Sequence, residues 1–121
     1  MIYATDFGQF ISEKRNEFTL TATELAQRLG ISIGYLCQLE HSKRVNPDIT
    51  LLKKLIAVFE LDKNEIAYMY DLYAKASGAF YPDISEYVLS KDIVKNALRY
   101  AMDIGATDED WEKFIEFLSQ K

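Results

Sequence analysis

Residues 20–47, LTATELAQRLGISIGYLCQLEHSKRVNP, decide how this chain is read. Thr21 with Glu24 three residues on is a capping box, in which each side chain satisfies the other's free amide, so a helix opens near Ala22. Leu25, Ala26 and Leu29 recur at helical spacing and turn inward, and Gly30 supplies the left-handed stop. Ser32 caps a second short helix, with Tyr35, Leu36 and Leu39 at packing intervals, that runs to about His41. The basic pair Lys43-Arg44 follows, and Asn46-Pro47 breaks the chain. Two short helices about a tight turn, with a basic corner after them, can hold the second helix out into a DNA major groove.

Outward from this stretch the signals stay helical, and period-2 alternation is scarce. Asp6 can cap a first helix to Glu17, with Phe7, Phe10 and Ile11 on one face. After Pro47 a fourth helix is expected from near Ile49 to Phe59, with Leu51, Leu52, Leu55, Ile56 and Phe59 as its apolar stripe. Asp62 with Glu65 is a further capping box, opening a fifth helix to roughly Ala76. Five helices make a complete small domain over residues 1–77. Ser77-Gly78 and Pro82 place a boundary there, and residues 78–121 read as a helical extension. Within it Ile84–Leu89 forms a short helical turn, and Ser90 caps a helix through Ile104 that Gly105 closes. Thr107 with Asp110 opens a last helix to about Leu118. The fold class is all-α.

Of the 121 residues 49% are hydrophobic, enough for a buried core. The net charge of -5 argues against indiscriminate nucleic-acid binding, which needs clustered Lys and Arg. Divided along the chain, that objection weakens. Residues 1–54 hold seven basic and six acidic side chains, and residues 55–121 hold seven and thirteen. The single cysteine, Cys37, leaves no intramolecular disulfide and no multi-cysteine metal site. No charged start precedes an apolar run, and no segment approaches the ~18 apolar residues of a membrane span. A cytoplasmic protein is expected, with no metal and no cofactor.

From about Phe7 to Leu72 the chain resembles the lambda-repressor-like helix-turn-helix family, the Cro and XRE-type regulators. The residues that carry the resemblance are Phe7-Gly8, Ile11, Arg15, Leu20-Thr21, Glu24-Leu25-Ala26, Leu29-Gly30, Ser32, Tyr35-Leu36, Leu39-Glu40, Lys43-Arg44 and Pro47, with TLLKKLIAVFEL after them. The resemblance implies that Ser32–Glu40 is a recognition helix, with Ile33, Gly34, Cys37 and Gln38 facing base edges. It places Thr21, Thr23, Ser32, Tyr35, Lys43 and Arg44 nearer the phosphates, and it implies a largely buried ion pair between Arg15 and Glu40. Three positions depart from the pattern. Ala22 stands where a glutamine is frequent, and Ser42 and Thr19 stand where glycine is usual.

The chemistry of these side chains fits that placement. Gln38 can bond adenine through two atoms, a contact worth ~1–3 kcal/mol of discrimination, while Ile33 can touch a thymine methyl. Gly34 offers no side chain but lets the backbone come close. Cys37, without a neighbouring base, reads as a small inert residue rather than a redox switch. His41 reads as a helix-end cation rather than a metal ligand. Tyr70 and Tyr73, with Tyr68, sit at packing spacing and read as core and interface rather than a stacking platform. One histidine and no Gly-rich phosphate loop leave no catalytic residues to name and no enzyme to expect.

The expected function is a sequence-specific DNA-binding regulator, a repressor that covers a palindromic operator as a homodimer. Residues 78–121 would make its dimer interface through Val88, Leu89, Ile93, Val94, Leu98, Met102, Trp111, Phe114 and Leu118. The alternative is an antitoxin-like module whose acidic C-terminal half captures a protein partner.

Overall fold

The computed structural model describes residues 6–121. They form eight α-helices, and no strand occurs among the described residues. A first compact unit ends at Ile84, and a second takes Ser85–Lys121.

In the first unit, α1 (Phe7–Glu17), α2 (Ala22–Leu29), α3 (Ile33–Glu40), α4 (Ile49–Val58) and α5 (Lys63–Ser77) surround one apolar core. Each starts on a side-chain cap read from the sequence or its equivalent: Asp6, Thr21, Ser32, Asp48 and Asp62 each accept the amide three residues on. Thr21 with Glu24 and Asp62 with Glu65 close full capping boxes. α1 packs on α3 and α5, and α2 packs on α3 and α4, so α3 is held from two sides. Ile11, Leu25, Leu36 and Met69 belong to this core, each fully buried.

The ends of α1, α2, α3 and α4 share one closure. The amides of Leu20, Ile31, Lys43 and Leu61 each reach back five residues, to the carbonyls of Arg15, Ala26, Gln38 and Ile56. Such a closure needs a left-handed residue just before the donor. Gly30 supplies it after α2 (φ 71), but Thr19 (φ 53), Ser42 (φ 61) and Glu60 (φ 49) do so after α1, α3 and α4. A side chain in that conformation costs roughly 1–2 kcal/mol. Two of the three, Thr19 and Ser42, are the positions where the sequence departs from a usual glycine. Burial of Leu20 and Leu61 just after the turns offsets the strain.

Gly78 (φ 73) closes α5, and the chain stays with the first unit to Ile84. The short turn expected at Ile84–Leu89 is a nine-residue helix, α6 (Pro82–Ser90), with Pro82 in the first position, where its missing N–H is harmless. Ser90 does not cap the helix after it. Its hydroxyl donates 2.7 Å to the carbonyl of Tyr87, inside α6, and Lys91 takes the N-cap place without a side-chain bond.

The second unit is a helical hairpin. α7 (Asp92–Ile104) ends at Gly105 (φ 68), and α8 (Asp108–Ser119) opens on the Thr107–Asp110 capping box. No residue of α6, α7 or α8 is buried.

Candidate nucleic-acid interface

Eight residues make α3, and their period divides them cleanly. Leu36 and Leu39 are buried, while Ile33, Gly34, Cys37 and Gln38 form an exposed stripe. Nothing lies within 4 Å of the place a Cβ would take on Gly34, so that surface is open to an approaching molecule. Ser32 caps the helix by accepting the Tyr35 amide at 3.0 Å, and Tyr35 is half-buried against the core. At the start of α2, Thr21 and Thr23 are exposed, and the Thr21 hydroxyl accepts the Glu24 amide at 3.1 Å. The amide of Thr21, then its hydroxyl, hold the Glu24 carboxyl below its ordinary range.

Past α3 the chain folds back on itself. The His41 ring lies 2.8 Å from the Cys37 carbonyl through Nδ1, at the negative end of the helix. Ser42 turns the backbone, and the amides of Lys43 and Arg44 both donate to the Gln38 carbonyl, at 2.8 and 3.1 Å. The exposed cations are thereby tied to the residue with the best base-reading chemistry. Ala22, which replaces a frequent glutamine, is half-buried against the core and offers no polar group.

A scaffold behind the face fixes its angle. Arg15 donates Nε to one oxygen of Glu40 and Nη2 to the other, both at 3.0 Å, and Nη1 to the Leu20 carbonyl at 3.1 Å. The Glu40 side chain is only 7% exposed, so this pair ties α1 to the end of α3 with little water between. Hydrogen bonds to Glu40 raise the Arg15 pKa further above neutral pH, against a smaller loss of hydration. Desolvation offsets much of the attraction, so the two parallel bonds fix geometry more than they add stability.

Three supporting contacts were not legible in local pattern. A Cβ on Gly8 would fall 2.5 and 2.6 Å from the carbonyl oxygens of Leu39 and Glu40, so only glycine lets α1 lie flush on α3. Lys54 caps α2 by donating to the Leu29 carbonyl at 3.2 Å. Tyr73 donates its hydroxyl to the Pro47 carbonyl at 3.1 Å. Each contact joins segments far apart in sequence.

A helix-turn-helix family model matches residues 11–66, the segment that holds the face and its scaffold. The SinR transcriptional regulator of Bacillus licheniformis is 28% identical over 115 residues, covering 94% of this chain and 93% of that protein. Its counterpart in Bacillus subtilis is 35% identical over 54 residues, 45% of this chain and 49% of that one. Over residues 11–66 the chain is thus similar to helix-turn-helix proteins, and over most of its length to a transcriptional regulator. A solved complex of SinR protein with SinI protein aligns over 94% of this chain and 95% of that one, at 24% identity and a TM-score of 0.49. The matched family binds DNA and is not enzymatic. Among the described residues no helix is long and apolar enough to cross a membrane.

The second unit carries a separate feature. An apolar groove of about 560 Å³ runs between α7 and α8, lined by Tyr87, Ile93, Val94, Leu98, Trp111, Phe114 and Leu118, with Ala97, Ala101 and Ala106 among them. Trp111 and Phe114 meet edge to face at 6.0 Å. Of the residues expected to make an interface, Val88, Leu89 and Met102 do not line the groove, and Leu89 and Met102 stand almost fully exposed.

Proposed function

We propose that this regulator is a repressor that binds a palindromic operator as a homodimer, one α3 to each half-site. The observation that carries the reading is the division of α3. Its inward residues are locked into the core and its end is clamped by Arg15. Its outward stripe of Ile33, Gly34, Cys37 and Gln38 lies open beside two cations. Gln38 reads adenine, Ile33 meets a thymine methyl, and Gly34 lets the backbone approach. Thr21, Thr23, Ser32, Tyr35, Lys43 and Arg44 take the phosphates and set register. Repression follows by covering a promoter.

The homodimer is supported by the second unit. It displays Leu89, Ile93, Met102, Ile104, Ile115 and Phe117 at 60% exposure or more and buries no residue, which a stable helical hairpin in water does not do alone. Covering that surface with a second copy brings two recognition helices into one assembly, and a palindromic operator for it would carry half-sites about one helical turn apart. The same surface favours a second reading, capture of a different protein. Eight carboxylates against five cations over residues 85–121 suit a basic partner.

Selection of bound sequences from a random duplex pool, at near-physiological salt, tests the reading. Enrichment of a palindrome supports it. No enrichment, with DNA affinity unchanged in Lys43→Ala/Arg44→Ala, removes the DNA role of this face.

A further inference from the structure

We propose that Tyr73 is a positioning residue for DNA binding, acting through the Pro47 carbonyl on the basic corner. The inference rests on the reading of Lys43 and Arg44 as phosphate contacts. The corner, residues 41–46, hangs between two fixed points. Before it stands Glu40, gripped by both arms of the Arg15 guanidinium and overlain by the bare backbone of Gly8. After it stands Pro47, fully buried, whose carbonyl accepts the Tyr73 hydroxyl across 26 residues of sequence.

Tyr73 is itself held firmly. It is 8% exposed, and its ring meets Phe7 edge to face at 5.6 Å, so α1 and α5 together fix where the hydroxyl points. A phenylalanine would fill the same space. The phenol oxygen is a buried polar atom, and this bond to Pro47 satisfies it. Between the two anchors Ser42 holds a left-handed turn, and the Lys43 and Arg44 amides share the Gln38 carbonyl. A short span pinned at both ends has little freedom left to lose when phosphates arrive. Releasing the Pro47 end restores that freedom and weakens the contacts made by the corner, while leaving the stripe on α3 in place.

The test compares DNA affinity and its salt dependence in the full chain, Tyr73→Phe, Lys43→Ala/Arg44→Ala and the combination of both. Tyr73→Phe is expected to bind roughly three- to tenfold more weakly, with a salt slope smaller by about one. In the Lys43→Ala/Arg44→Ala background the same change is expected to cost less than about twofold, because the groups it positions are gone. Asn46→Gly, an exposed change that loosens the same span without touching the core, is expected to reproduce both results. A tyrosine that only stabilised the fold would lower the melting temperature and leave the slope untouched. The proposal is overturned by a wild-type slope in Tyr73→Phe or Asn46→Gly, or by an equal loss in both backgrounds. A parent chain with no salt-dependent binding overturns the DNA reading itself, and the proposal with it.

Discussion

Leu36 in α3 and Leu118 in α8 occupy the apolar faces of similar amphipathic helices, yet the first is fully buried and the second is 43% exposed. The difference lies in what each helix meets. α3 is covered by α1 on one side and α2 on the other, and the core they share continues into α4 and α5. α7 and α8 make a two-helix hairpin whose groove stays open. Two helices can hide only the strip between them, whereas five enclose a centre, because buried area grows faster than chain length. Apolar content alone therefore does not make a core. The first unit spends its hydrophobic residues on holding one short helix at a set angle, and the second presents them.

The comparison is broken most readily by truncation in each unit. Leu36→Ala is expected to cost about 2–5 kcal/mol by urea melting, since it leaves a cavity in a closed core. Leu118→Ala is expected to leave the melting of α1–α5 unchanged and to shift the concentration at which the chain associates. Equal destabilisation from both would mean that α8 is as well packed as α3.

The clamp on α3 gives the next effect. Glu40→Gln keeps the shape of the side chain and removes its charge, leaving Arg15 half-satisfied. A loss of about 1–3 kcal/mol in thermal or urea melting is expected, together with weaker DNA binding at temperatures where the fold is intact. A variant that melts earlier but binds equally well would show that the angle of α3 is fixed without this pair.

Acid sensitivity is the next effect, and in the first unit it runs through one carboxyl. Glu65, in α5, has its carboxyl held below the ordinary range, first by the hydrogen bond from Lys14 and next by the Asp62 amide. A depressed folded-state pKa adds stability that is present above the ordinary carboxylate range, near pH 4–5, and lost as pH falls through the folded value. Urea melts between pH 7 and pH 3 are expected to show a shallower acid loss in Glu65→Gln than in the parent. The effect is small, because the Glu65 side chain is one-third exposed and water screens it.

Smallest are the turns. Thr19→Gly and Ser42→Gly relieve left-handed side chains and are each expected to raise stability by about 0.5–1 kcal/mol, after the extra freedom of an unfolded glycine is counted. Gly105→Ala, the reverse change in the second unit, is expected to weaken the hairpin by about 1 kcal/mol. Calorimetry on the three variants checks both signs. A loss in Thr19→Gly would mean that its side chain contributes more than its backbone costs.

Much of this was legible because it is local. Caps lie three residues from the amides they satisfy, so Asp6, Thr21, Ser32, Asp62 and Thr107 could be read directly. The stripe of α3 follows from helical period. Resemblance rather than spacing pointed to Arg15 and Glu40, 25 positions apart, and they meet. Ser90 misled, since a hydroxyl before a helical run also fits a serine bonding back to the carbonyl of its own preceding turn. Gly8 and Lys54 act across helix pairs and Tyr73 reaches the loop before α4, where no local pattern announces the partner. The second unit was legible as helices but not as an open groove, because the spacing of apolar residues is the same whether the face is covered or bare.

The central claim is that the first unit stands alone and the second is completed by another copy of the chain. Sedimentation equilibrium at micromolar concentration, on the full chain and on a chain ending at Ser77, tests it most directly. The account predicts a dimer that dissociates on dilution for the full chain, and a folded monomer for the shorter one. A full chain that stays monomeric, or a shortened chain that still dimerises, would contradict it.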